Sequence, residues 1–126
     1  MGGGRFNGDN EPTDQVSAEA YSPPYLFKGA RPTMSAAPAT ATYGGTITVQ
    51  TPDAGRIATV SLLRLGAVTH GFNTDQRFLQ LSFAAGNGAL TVQEPANANL
   101  APPGYYMLFI LDTNGVPSVA ATLQLR

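Results

Sequence analysis

From Thr33 onward the chain is a succession of short runs in which apolar and polar residues alternate. Turn-forming residues cut the runs apart, and no stretch carries the 3.6-residue period of a convincing helix. Thr46-Ile47-Thr48-Val49-Gln50 shows the alternation in its simplest form. Leu79, Leu81 and Phe83 fall on one face of Phe78–Phe83, and Phe78, Gln80 and Ser82 on the other. Between runs stand Gly44-Gly45, Thr51-Pro52-Asp53-Ala54-Gly55, Gly86-Asn87-Gly88 and Thr113-Asn114-Gly115. Gly and Asn tolerate positive φ there, and Pro presets the bend. The pattern predicts seven strands, at Thr33–Ala37, Thr46–Gln50, Ile57–Leu65, Phe78–Phe83, Ala89–Gln93, Gly104–Leu111 and Val116–Leu125. Short strands at this spacing fit an all-β, two-sheet sandwich.

The run Gly104–Leu111 refines that reading. A tyrosine at the start of a late strand, just after a turn, suggests a tyrosine corner, in which the hydroxyl bonds back to upstream backbone, as in immunoglobulin-like sandwiches. Tyr106 is the candidate, and simple core packing is the alternative. The same run is apolar on both faces: Tyr106, Leu108 and Ile110 on one, Tyr105, Met107, Phe109 and Leu111 on the other. A half-exposed sandwich strand should alternate apolar with polar. Something other than the opposing sheet is therefore expected over the second face: a loop, the N-terminal segment or a partner domain.

Residues 1–32 read as an N-terminal tail and linker, and 33–126 as the sandwich. Residues 1–13 are rich in Gly, Asn, Asp, Glu and Pro, a composition that predicts a mobile tail. Pro23-Pro24 predicts an extended linker, pinned to the body by Tyr25, Leu26 and Phe27. Met1-Gly2-Gly3-Gly4 has neither the basic start nor the apolar core of a signal peptide. Charged residues are only 12% of the chain and the net charge is −1, so no basic field invites nucleic acid or anionic lipid. No apolar run approaches a membrane span of roughly 20 residues.

The chemistry centres on the one histidine. His70 lies in Val68-Thr69-His70-Gly71-Phe72-Asn73-Thr74-Asp75-Gln76-Arg77, a polar stretch between two strand-like runs. Neutral imidazole is the commonest protein metal ligand, but one imidazole cannot close a metal site. Any co-ligands must come from elsewhere. Asn73, Thr74, Asp75, Gln76 and Arg77 read as loop scaffolding that orients His70, with Asp75 and Arg77 as a possible ion pair. The acids Asp9, Glu11, Asp14, Glu19, Asp53, Glu94 and Asp112 fall mostly at turns or in the tail and form no acid–base pair. No nucleophile elbow or phosphate-cradling motif occurs.

The run Thr69–Arg77 resembles the copper-ligand loop in the C-terminal immunoglobulin-like (early set) domain of the galactose oxidase and glyoxal oxidase family of copper-radical oxidases. Three further blocks agree in order and spacing: Tyr21-Ser22-Pro23-Pro24-Tyr25-Leu26-Phe27, Ala101-Pro102-Pro103-Gly104-Tyr105-Tyr106-Met107-Leu108-Phe109 and Asn114-Gly115-Val116-Pro117-Ser118. The resemblance implies an accessory domain that supplies one copper ligand, His70, to a larger secreted enzyme. That enzyme would oxidise a primary alcohol or aldehyde with O₂ to give H₂O₂. The tyrosine–cysteine redox cofactor and the Tyr-His copper ligands of the family have no counterpart here, since the chain has no cysteine and no Tyr-His pair. They are expected in a preceding β-propeller domain, whose last strand residues 14–21 would resemble. On this reading the chain alone is not an enzyme. A free-standing binding or adhesion module, with carbohydrate as the candidate ligand, is the alternative.

Overall fold

The computed structural model describes residues 20–126. The expectations for residues 1–19, the mobile tail and the propeller-like strand, lie outside the described residues. The elements are a 3₁₀ turn η1 (Pro24–Phe27), β1 (Thr40–Ala41), β2 (Thr46–Gln50), a 3₁₀ turn η2 (Ala54–Arg56), β3 (Ile57–Arg64), β4 (Val68–Thr69), β5 (Phe72–Asn73), β6 (Phe78–Leu81), β7 (Phe83–Ala85), β8 (Ala89–Gln93), β9 (Gly104–Asp112) and β10 (Ala121–Leu125). They form a five-stranded sheet in the order β1-β10-β9-β3-β6, a three-stranded sheet β2-β8-β7 and a separate ribbon β4-β5.

Alternation positions the core. In β2 and β8 the inward residues are Ile47, Val49, Leu90 and Val92, all buried, and the register sets Ile47 opposite Val92 and Val49 opposite Leu90. Directly opposed residues share a face, so these four form one apolar layer. The five-stranded sheet answers with Val60 and Leu62, Tyr106, Leu108 and Ile110, and Leu123 and Leu125, every one of them fully buried. Leu62 opposes Leu108, and Leu123 opposes Tyr106. Sequestering such side chains stabilises the fold by about 1.5–3 kcal/mol each. Tyr106 donates its hydroxyl to the Pro102 carbonyl at 2.7 Å, the upstream bond expected of a tyrosine corner. Tyr43 donates to the neighbouring Ala101 carbonyl at 2.8 Å, a second anchor on the same segment.

Ten strands stand among the described residues where seven were expected. The run Phe78–Phe83 is two strands: β6 belongs to the large sheet, β7 to the small one, and the chain changes sheet at Ser82. The polar stretch around His70 contains a hairpin of its own. Thr33–Ala37 is not a strand. It touches the small sheet at one bridge, Ala36 to Gln50, because Pro38 cannot donate to a ladder. The edge pairing falls instead to Thr40–Ala41, parallel to β10. The last strand starts at Ala121 rather than Val116. Before it, Pro117 makes one isolated bridge to Leu111, and Ser118 bonds Ile110 through both its backbone N–H (2.8 Å) and its hydroxyl (3.2 Å).

The linker also differs from expectation. Pro23 is extended (φ −68°, ψ 152°), but Pro24 opens a 3₁₀ turn, a position where its missing N–H is harmless. Phe27 is 77% exposed and pins nothing; Arg31 holds the segment by donating to the Pro117 and Ser118 carbonyls. Asp53 continues the anchoring. It accepts from the Thr33 N–H at 2.7 Å and from Arg56, and these bonds hold its carboxyl below the usual range. Arg56 also reaches the buried Asp112, whose other oxygen organises the turn at 112–116 by accepting from Asn114 and Val116 N–H groups.

Candidate functional site

The site is built on the connection between β3 and β6, across one end of the large sheet. β4 and β5 pair antiparallel, Val68 opposite Asn73 and Thr69 opposite Phe72, which leaves His70-Gly71 as the two-residue turn. Both have positive φ, 53° for His70 and 76° for Gly71, as a type I′ hairpin turn requires. Among the described residues His70 alone is a non-glycine with positive φ. Left-handed backbone costs an L-residue roughly 1–2 kcal/mol, and Gly or Asn usually fills this position. His70 and Gly71 are exposed, and Phe72 is 72% exposed beside them.

Asn73 Oδ1 accepts from the N–H groups of Ala67 and Asp75, each at 3.2 Å. Asp75 does not pair with Arg77 but with Arg64, at 3.7 Å across the base. Arg77 contributes its carbonyl, which accepts from the Arg64 N–H at 2.9 Å. Gly66 and Arg64, which line or brace the site, carry no signal that singles them out in the sequence, whereas Tyr25 was expected to pin the linker and lines the groove beside the site. Among the described residues no three His, Cys, Asp or Glu side chains cluster as a metal site would require. The chemistry of the donor set fits one imidazole contributed to a metal held elsewhere, not a complete centre.

The outer face of the large sheet continues from the hairpin base. Leu63 lies between Phe78 on β6 and Met107 on β9, and Ser61 lies beside Phe109. An apolar groove runs along this face past Tyr25, Leu63, Phe78, Phe109, Leu111 and Pro117. A second depression shares Leu63 and Phe78 with it and reaches Arg64, Asn73 and Arg77. Phe78 is 64% and Tyr105 54% exposed. The small sheet is the opposite case, since it turns Thr46, Thr48, Gln50, Thr91 and Gln93 outward. The apolar second face of β9 is thus confined to the side that carries the histidine hairpin.

Residues 31–125, most of the chain, match the family described as "Galactose oxidase-like, Early set domain". The chain belongs to this family. The chain is 36% identical to a galactose oxidase of Gibberella zeae over 98% of its own length, and that match spans 19% of the oxidase. It is 33% identical to an aldehyde oxidase GLOX of Vitis pseudoreticulata, over 88% of this chain and 23% of the relative. Among solved structures it resembles a fungal alcohol oxidase of the AA5 family in complex with copper, with a TM-score of 0.76 and 38% identity over 82% of this chain and 23% of that one. The early set domain therefore spans about a fifth of the length of the relatives it matches. In those relatives it sits with a much larger remainder.

Proposed function

We propose that this chain is the accessory, C-terminal early set domain of a secreted copper-radical oxidase acting on a primary alcohol or aldehyde, and that His70 is one of the copper ligands. The observation that carries the reading is the place of His70. It stands at the tip of a ribbon that joins neither sheet, in a backbone conformation that favours Gly or Asn. Strain of this kind collects where a side chain is needed for a task. Copper accepts imidazole, and would supply the redox centre for oxidation by O₂. Family membership and the fraction of each relative matched support a larger catalytic domain as the partner, a β-propeller by resemblance. Its surface would cover the apolar groove beside Leu63 and Phe78 while the hairpin delivers the imidazole.

Alone, the chain is expected to bind copper weakly and to have no oxidase activity. The test is H₂O₂ production from a primary alcohol or an aldehyde with added copper, with His70→Ala as control. Turnover above that control would overturn the reading. Joined to the larger domain, His70→Ala should lower copper content and change the copper electron paramagnetic resonance spectrum. An unchanged spectrum would remove His70 from the ligand set. Two exposed aromatics, Tyr25 and Phe78, line the groove and would also suit a carbohydrate platform, but Leu63, Phe109, Leu111 and Pro117 make most of its wall apolar. Tight glycan binding by the isolated chain would favour that alternative.

A further inference from the structure

A ribbon with two residues in each arm is too short to hold itself in water, because even longer isolated hairpins are marginal. The β4-β5 ribbon pairs with neither sheet, and side-chain bonds tie it to the body at its base. On one side the join is 65–67, on the other 74–77. We propose that Asn73 and Gly66 form a lock across these two connectors and are the positioning residues for His70, an inference that rests on His70 acting as a ligand.

One oxygen spans the join. Asn73 Oδ1 accepts from the Ala67 N–H before the ribbon and from the Asp75 N–H after it. The other end of the same amide is seated on Gly66. A Cβ built there would stand 2.7 Å from Asn73 Nδ2 and 3.3 Å from its Cγ. A terminal amide would ordinarily swing aside at little cost. This one cannot move without straining both bonds to Oδ1. Gly66 is also not among the glycines with positive φ, so its backbone accepts alanine without strain. The need for glycine at 66 therefore comes through Asn73. The Arg64–Asp75 pair reinforces the join at 3.7 Å, but its partly exposed charges contribute little. Val68 lies opposite Asn73, so His70 stands two residues beyond the lock, roughly 7 Å of strand. A tilt of about 10° at the base would move it by about 1 Å, beyond the roughly 0.5 Å that a working site tolerates.

The test compares wild type, N73A, N73D and G66A as the copper-free chain. It reads ¹⁵N relaxation at His70, amide hydrogen exchange at Ala67 and Asp75, and the melting temperature. In N73A and G66A the His70 order parameter should fall from about 0.85 toward 0.6 or lower. The two amides should exchange at least about tenfold faster, the scale expected when a bond of about 1.4 kcal/mol is lost. N73D keeps an acceptor oxygen and should retain both signatures. Melting should move little in all of them, because the ribbon lies outside the core. Unchanged order at His70 in N73A, or wild-type behaviour of G66A, would overturn the lock. So would a collapse of the whole melting transition in N73A, which would make Asn73 a general stability residue. If His70 is ordered through the lock yet contributes nothing to copper in the joined protein, the ligand role fails and the lock stands.

Discussion

Glu94 should make this domain less stable at neutral pH than at mildly acidic pH. It follows β8, in step with the inward residues Leu90 and Val92, and is 3% exposed. Neither carboxylate oxygen has a hydrogen-bond partner among the described residues. Burial pushes its carboxyl from the ordinary 4.5 up to about 7. The folded state thus holds the proton more tightly than the unfolded chain. Its contribution is full below pH 4.5 and is lost as pH rises through about 7. At 1.36 kcal/mol per pH unit, the loss between pH 5 and pH 8 is about 2–3 kcal/mol. For a domain of this size that lowers the melting temperature by roughly 10–20 °C. Circular dichroism melts from pH 5 to 8 read this directly. Glu94→Gln keeps the shape without the titration, so its profile should be nearly flat and it should exceed wild type at pH 8. Repeating the series in a His70→Ala background removes the single imidazole as another source of slope. A flat wild-type profile, or an unchanged slope in Glu94→Gln, would refute the reasoning. Below about pH 4 the trend should reverse, because Asp53 is held ionised by its bonds to the Thr33 N–H and Arg56 and loses them on protonation.

Further substitutions separate core, corner and hairpin, each read by denaturant or thermal unfolding. Leu81→Ala, at a buried position against Val60, should destabilise by roughly 2–5 kcal/mol. Tyr106→Phe should cost about 1 kcal/mol through loss of the bond to the Pro102 carbonyl, and no loss would reduce the corner to simple packing. His70→Ala should stay within about 0.5 kcal/mol of wild type, as at other surface positions. His70→Gly should stabilise by up to about 1 kcal/mol, because glycine adopts the left-handed backbone freely; destabilisation would show that the histidine side chain supports the fold.

Thr46–Gln50 and Ala89–Gln93 were legible in the sequence because their alternation is local, and the run from Gly104 because an unbroken apolar stretch stands between two turns. Tyr106 was legible as a corner candidate by its place after a turn. What eluded the sequence depends on partners far along the chain. The period of Phe78–Phe83 does not reveal that Ser82 hands the chain from one sheet to the other. Thr33–Ala37 has strand composition, but which edge it meets depends on Pro38 and Gln50. Near the site, Asn73 was readable as a scaffold because its side chain bonds nearby backbone. The fit of Gly66 against that amide exists only once the ribbon closes. Glu94 is the instructive miss. Its step from Leu90 and Val92 points inward, yet as an acid beside a proline it reads as a turn residue.

The two-residue turn at His70-Gly71 also makes reach a discrete variable. Adding one residue to each arm of the ribbon would keep the turn but flip the imidazole to the opposite side, because side chains alternate along a strand. Adding two to each arm would restore its direction and carry it about 7 Å farther out. Natural or designed variants that retain a histidine at the tip should therefore differ in this segment by multiples of about four residues. Intermediate lengths would aim the ring back over the sheet or away from any partner.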